Sequence, residues 1–352
     1  MIMKILIIVC VAAMEMVCAE TSVSDGSKDH NKEAHKALCD LLKAAVGKWG
    51  TNGEGLSDSL KKALGKTIFG KDDGGDLTAL KRGLPGDYMD WESNSGEDRG
   101  MWCGQAYYEY SLSNKKQPHW SGQSAPHNMI CLCTVGAGGW PLNGSSPTGT
   151  TLCGRDKTAL KSDGDKGWGG SGKEGKDQLE ATWTNVTVPC LKGENGKDLK
   201  EALNEFLRRL QHKPDVNANQ NRYILGENNV TETDYNACTG SPKYGICAAF
   251  FNGTTTLYPM PWWVDLQNAL PEEEKFQQQK KHEEEERRKQ QEEEQKADSA
   301  QTAALKSGHP TTNQTEAPNK DNLTDKLRKL NMTSGTPISM PSSWLLRAVF
   351  LI

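Results

Sequence analysis

The residues that come closest to a chemical constellation are His119, His127, Cys131 and Cys133. Imidazole and thiolate are zinc ligands, and four of them in one short stretch would suffice for a tetrahedral site. Their spacing fits no common finger or ribbon, however, and in an oxidising compartment such cysteines pair with each other first. Gly136-Ala137-Gly138-Gly139 has the composition of a phosphate-cradling loop, but no Lys-Ser/Thr pair follows, and Trp140-Pro141 blocks the helix start that such a loop requires. It reads as a turn. Neither Gly-x-Ser-x-Gly nor His-Glu-x-x-His occurs, so two simple hydrolase signatures are missing. Of the other histidines, His282 and His309 lie in highly polar stretches. No catalytic residue, metal or cofactor is assigned, and the expected class is not an enzyme. Trp140, Trp168, Trp183, Trp262 and Trp263 read as core packing, because large aromatics contribute much of the buried area in small disulfide-rich lobes.

The chemistry that the residues do support is modification. Asn-x-Ser/Thr sequons stand at Asn143, Asn185, Asn229, Asn252, Asn313, Asn322 and Asn331, none with Pro in the middle. Lys4 precedes the apolar run Ile5 to Met14, and Val17-Cys18-Ala19 then offers compact residues for cleavage, so residues 1–19 read as a secretory signal. Export makes the sequons meaningful as glycan acceptors and places the cysteines where disulfides persist. Once Cys10 and Cys18 leave with the signal, Cys39, Cys103, Cys131, Cys133, Cys153, Cys190, Cys238 and Cys247 remain. Eight cysteines read as four disulfides, with 105 pairings open. At the other end, Ser334-Gly335-Thr336, a spacer from Pro337 to Ser343 and the apolar tail from Trp344 to Ile352 follow the order of a glycosylphosphatidylinositol (GPI) signal, although Arg347 interrupts the tail. An apolar strand or helix packed on a core is the alternative for that tail. The net charge of -4 gives no reason to expect nucleic acid as a partner.

These residues need elements to position them. Ala34, Leu38, Leu41, Leu42, Ala45 and Val46 recur at helical spacing, with Gly47 and Gly50 as stops. A second helix is expected from Lys197 to His212, ended by Pro214. Gly-rich stretches at 50–100, 136–150 and 162–176 suit short strands or loops. Met129 to Val135 suits a short buried strand, Trp183 to Val188 is a candidate for another, and Trp102 to Tyr108 fits either helix or strand. Glu272 to Asp298 is built almost wholly from Glu, Gln, Lys and Arg, and good helix formers favour a solvated helix there over a disordered linker. The Trp262-Trp263 pair is expected to seat the start of that helix. The domain plan is then a signal at 1–19, a disulfide-stapled domain at 20–264, a charged stalk at 265–298, a flexible glycosylated tether at 299–334 and a removed signal at 335–352.

Cys39 in the first helix, Trp102-Cys103-Gly104, Cys131-Leu132-Cys133 ahead of Gly138-Gly139-Trp140-Pro141-Leu142, and Ser334-Gly335 with its apolar tail together resemble the variant surface glycoproteins of African trypanosomes, with a B-type N-terminal domain. The resemblance implies a mainly α fold: an elongated helical hairpin or bundle, with disulfide-tied loops and short β elements in a membrane-distal lobe. It implies a homodimer, attached to the outer leaflet of the plasma membrane through a GPI lipid on Ser334, with Gly335 and Asn331 as neighbouring possibilities. The implied role is a dense coat that meets host antibodies as antigen and serves immune evasion. The competing expectation is a GPI-anchored receptor for a host macromolecule on a related scaffold. Many family members carry a second cysteine-rich domain before the anchor, whereas no cysteine follows Cys247 here.

Overall fold

The structure is a computed structural model that describes residues 27–89, 98–107, 109–110, 115–169, 175–193, 197–216, 221–252 and 259–306. The expected N-terminal signal at 1–19, the segment beyond residue 306 with Asn313, Asn322, Asn331 and Ser334, and the apolar tail lie outside the described residues. The chain divides into two units, residues 1–284 and 285–352.

In chain order the elements are β1 (Asp29–His30), α1 (Lys32–Trp49), α2 (Asp58–Phe69), α3 (Leu77–Arg82), α4 (Arg99–Gly104), β2 (Glu109–Tyr110), β3 (Lys115–Lys116), α5 (Ala125–Cys133), β4 (Thr151–Leu152), α6 (Lys176–Thr182), α7 (Val188–Cys190), α8 (Leu199–Arg208), β5 (Gln211–His212), β6 (Arg222–Glu227), β7 (Ile246–Phe251) and α9 (Trp262–Lys306). The fold is mainly α. Short β pairs join β1 to β4 in parallel and β2 to β3 antiparallel, and β5-β6-β7 form an antiparallel sheet in which Ile224 faces Ala249 and Leu225 faces Ala248.

The core of the first unit is built around α5. Every one of its residues from Ala125 to Cys133 is buried, and α1, α2, α4, α6 and β7 all touch it. A helix buried on all sides has no polar face, so the residues leave no 3.6-residue alternation to read. That is why Met129 to Val135, expected as a strand, is largely helix. Local signals were present: Ser124 Oγ accepts from the His127 N–H at 3.3 Å, and Pro126 occupies the first turn, where its missing N–H costs nothing. The polar groups on α5 are matched. Asn128 donates to the Ser121 carbonyl at 2.6 Å and accepts from the Trp262 indole N–H at 2.7 Å.

Other expectations change for physical reasons. α1 runs through Gly47 to Trp49, because Val46 and Trp49 are buried and their packing outweighs a glycine cost of about 1 kcal/mol. Residues 58–69, expected as strand or loop, form α2; Ser57 caps it through Leu60 N–H, and Leu60, Ala63, Leu64, Thr67 and Ile68 are buried at helical spacing. α8 ends at Arg208, well before Pro214, since Gln211 and His212 are drawn into pairing with β6. Residues 102–104 are helical. Trp183–Thr187 is a π-helical turn, not a strand: Pro189 has no N–H to give to the Asn185 carbonyl, which accepts from Arg155 Nε at 3.0 Å instead. The expected turn at Gly136–Gly139 is a tight 3-10 turn. There a Cβ on Gly136 would lie 1.8 Å from the Gly240 carbonyl oxygen, so only glycine lets the two backbones meet.

The charged segment is helical, as part of α9, which begins at Trp262 and continues to Lys306. Its root is fixed to the first unit. Trp262, Trp263, Leu266 and Ala269 are buried, Glu273 accepts from the Ser57 N–H at 2.8 Å, and Gln277 donates to the Gly55 carbonyl at 2.9 Å. Beyond that root the side chains through Ser299 are exposed.

Candidate functional site

Four disulfides tie the described residues: Cys39–Cys190, Cys103–Cys131, Cys133–Cys153 and Cys238–Cys247, with Cα–Cα separations of 5.0, 5.5, 5.7 and 4.8 Å. Cys131 and Cys133 both sit on α5. Residues two apart on a helix point about 200° apart, so these two bonds leave α5 on nearly opposite sides and fasten the central helix from both flanks. On a strand the same spacing would have put both sulfurs on one face. Cys39–Cys190 joins α1 to α7 across 151 residues, and Cys238–Cys247 closes the turn that leads into β7.

The histidine and cysteine set is thereby dismantled as a metal centre. His127 lies within ligand distance of Cys103 and Cys131, and His35 of Cys39 and Cys190, but all four sulfurs are consumed in disulfides and offer no thiolate. His119 and His127 instead join an aromatic cluster. Their rings stack at 5.5 Å, Tyr88 stacks on His119 at 3.9 Å, and Trp102 meets His119 edge-on at 4.6 Å. His127 Nε2 donates to the Trp102 carbonyl at 3.0 Å, which leaves Nδ1 bare to accept from the Tyr88 hydroxyl at 2.8 Å. His119 Nδ1 is 3.2 Å from Gln123 Oε1. Burial pushes the His119 pKa down to about 4, and burial with the neighbouring His119 ring pushes His127 down to about 3. Both rings are neutral at physiological pH, and the cluster is core.

Two buried guanidinium groups escaped the sequence reading. Arg99 donates to the carbonyls of Cys131 at 2.9 Å, Val135 at 3.2 Å and Trp168 at 3.3 Å, and lies 4.8 Å over the Trp168 ring. It thus caps carbonyls at the C-terminal end of α5, where a cation is favoured. Burial lowers its pKa to about 9, which leaves it charged at neutral pH. Arg222 does comparable work at the β6 edge, donating to the carbonyls of Lys213, Asp234 and Thr231 at 3.0, 2.7 and 2.8 Å. No periodicity marks either residue in advance. Trp168, Trp183, Trp262 and Trp263 are buried as expected, and Trp140 is partly so.

The described sequons differ sharply in setting. Asn229 is exposed, and Asn143 lies on a surface turn where the Ser145 hydroxyl of its own sequon donates to Asn143 Oδ1 at 2.7 Å. Asn252 is half-buried at the end of β7, and Thr254 of its sequon lies outside the described residues. Asn185 sits in the π turn with Nδ2 donating to the Ala159 carbonyl at 2.8 Å, and Thr187 of that sequon is fully buried. Among the described residues no helix is long and apolar enough to cross a membrane.

Two comparisons with known proteins bear on this arrangement. A family model described as the trypanosomal VSG domain matches residues 47–295, more than half of the 352-residue chain. The match takes in every disulfide cysteine except Cys39, together with α2 to α8 and most of α9. No curated protein matches the chain.

Proposed function

The chain belongs to the trypanosomal VSG domain family, whose members are structural cell-surface coat proteins and not enzymes, and from that premise we propose that it is a GPI-anchored, N-glycosylated variant coat glycoprotein. In this role it packs densely on the outer leaflet as a homodimer, keeps host antibodies from the surface beneath, and is replaced by other variants in immune evasion. The observation that carries the reading is the family match over residues 47–295. The physical design agrees with it. A coat protein must stay folded outside the cell at high density, and a core bound from both flanks of its central helix by disulfides resists unfolding by restricting the unfolded chain. The Glu-, Lys- and Arg-rich α9 is long, polar and rooted by Trp262, which suits a spacer between a folded head and a lipid. With the lipid as its hold, the chain would need no membrane-spanning segment.

Mass spectrometry of the C-terminal peptide of the mature protein tests the anchor. The reading expects a peptide ending at Ser334, or at the neighbouring Gly335 or Asn331, that carries an ethanolamine-linked glycan. A mature chain that still runs to Ile352 would exclude the anchor.

A further inference from the structure

Beside β6 lies a groove of about 470 Å³, within the range of about 300–1,000 Å³ that small-molecule sites occupy. Its lining includes His30, Trp140, Gln211, Glu227, Asn229 and Pro242. Asn229 on its rim is an exposed glycan acceptor, and we infer that the groove seats the first N-acetylglucosamine residues of a glycan carried by Asn229 itself. The inference rests on the proposed N-glycosylation and goes beyond it.

Three features of the groove support this occupant. The acceptor is held in place. Val230 next to it is buried, its carbonyl accepts from Lys213 Nζ at 2.9 Å, and the Thr231 hydroxyl of the sequon donates to Asp234 at 2.8 Å. The direction of the sugar is constrained as well. Asn229 Nδ2 donates to the Pro242 carbonyl at 3.1 Å, and a glycosylated amide keeps one N–H, so this bond is compatible with a sugar on the other position of the nitrogen. Pro242 belongs to the turn closed by Cys238–Cys247 and by the Gly240-to-Gly245 and Gly245-to-Ser241 backbone bonds, so this rim is fixed too.

The lining has the chemistry of a sugar site. Trp140 supplies an aromatic body, 6.4 Å from the His30 ring, against which the C–H face of a pyranose packs. Glu227 is ionised: burial alone would raise its pKa, but hydrogen bonds from His30 at 2.7 Å and Lys28 at 3.0 Å outweigh that and hold it at about 2. Its carboxylate, with the amide of Gln211, offers acceptors for hydroxyl and acetamido N–H donors. A free monosaccharide would bind such a groove weakly. A tethered one experiences an effective concentration in the mM range, so weak contacts are enough.

The test uses the full glycoprotein secreted from a eukaryotic host. Glycopeptide mass spectrometry first measures occupancy at Asn229, and peptide N-glycosidase release is then timed at Asn229 on the native and on the denatured, reduced protein. The expected result is that Asn229 is occupied and that native release is slower by about two- to tenfold than in either groove variant, Trp140→Ala or Gln211→Ala, the range expected of one aromatic or polar contact. Gln211 is exposed, so its variant keeps the fold even if Trp140→Ala does not. Denatured chains of all three should be cut at one rate. An occupied Asn229 released equally fast from the parent and from Gln211→Ala and Trp140→Ala overturns the seating alone. An unoccupied Asn229 overturns the glycosylation reading at this residue, and the seating with it.

Discussion

Acidification from pH 8 to pH 5 should destabilise the head, and the two stacked histidines set the size of the effect. An unfolded imidazole has a pKa near 6.5, whereas His119 titrates at about 4 and His127 at about 3, chiefly because both are buried. With the folded values depressed, the stabilising contribution is complete above about pH 6.5 and is lost as pH falls through that value toward 4, because the unfolded chain gains protons that the folded one refuses. At pH 5 each ring accounts for a loss of about 2 kcal/mol relative to pH 8, about 4 kcal/mol for the pair. That is a large share of a typical net stability of about 5–15 kcal/mol. Burial shifts His35 in the same direction. The depressed carboxylates Asp40, Glu227 and Glu273 do not interfere, since their contributions persist until the pH falls below their unfolded values of about 4. Urea unfolding of the oxidised protein, followed by tryptophan fluorescence at pH 8, 6.5 and 5 and constant ionic strength, reads the slope directly. His119→Gln removes one titrating ring and should reduce the pH 8-to-5 difference by about 2 kcal/mol, whatever it does to the absolute stability. A stability that is flat across this window, or a variant with the parent's slope, would refute the reasoning.

Three further outcomes are expected. Replacing the Cys39–Cys190 pair with serines should cost about 4–5 kcal/mol and removal of Cys238–Cys247 about 2.5 kcal/mol, because the first closes a far longer loop even after the two disulfides nested within it are allowed for; denaturant midpoints of the two variants rank them. Glu273→Ala leaves the Ser57 N–H without its acceptor and should cost about 1–3 kcal/mol, with faster amide exchange in the first turns of α9; unchanged exchange there would show that the buried Trp262, Trp263, Leu266 and Ala269 hold the root without it. Asn143 and Asn229 should carry glycans and Asn185 should not, since Asn185 is only partly exposed and the threonine of its sequon, Thr187, is fully buried, whereas Asn229 is exposed; site-resolved glycopeptide analysis decides, and a fully occupied Asn185 would contradict the assignment.

What the sequence made legible follows from which elements face water. α1 and α8 each present one apolar stripe to the core and a charged face to solvent, and both were readable, although their ends were not: burial of Trp49 extends one, and the β5 pairing shortens the other. The charged run was readable as helix from composition, and α9 extends beyond it at both ends. α5 was misread because burial on every side erases the periodicity that distinguishes helix from strand. α2 shows the opposite failure: its cap and its apolar spacing stand in the sequence, but the glycines around it obscured them. The eight cysteines were legible as a set, and their pairing was not, because it depends on how α1, α4 and α5 come together in space. Arg99 and the Asn229 groove were beyond reach for the same reason: each is assembled from segments distant in the chain.

Quantitative surface labelling of intact cells that express this chain tests the coat assignment most directly. The account predicts that this chain is the dominant labelled protein at the cell surface, exceeding every other species by a wide margin. A chain labelled only as a scarce surface species would contradict the coat role and favour a receptor on the same scaffold.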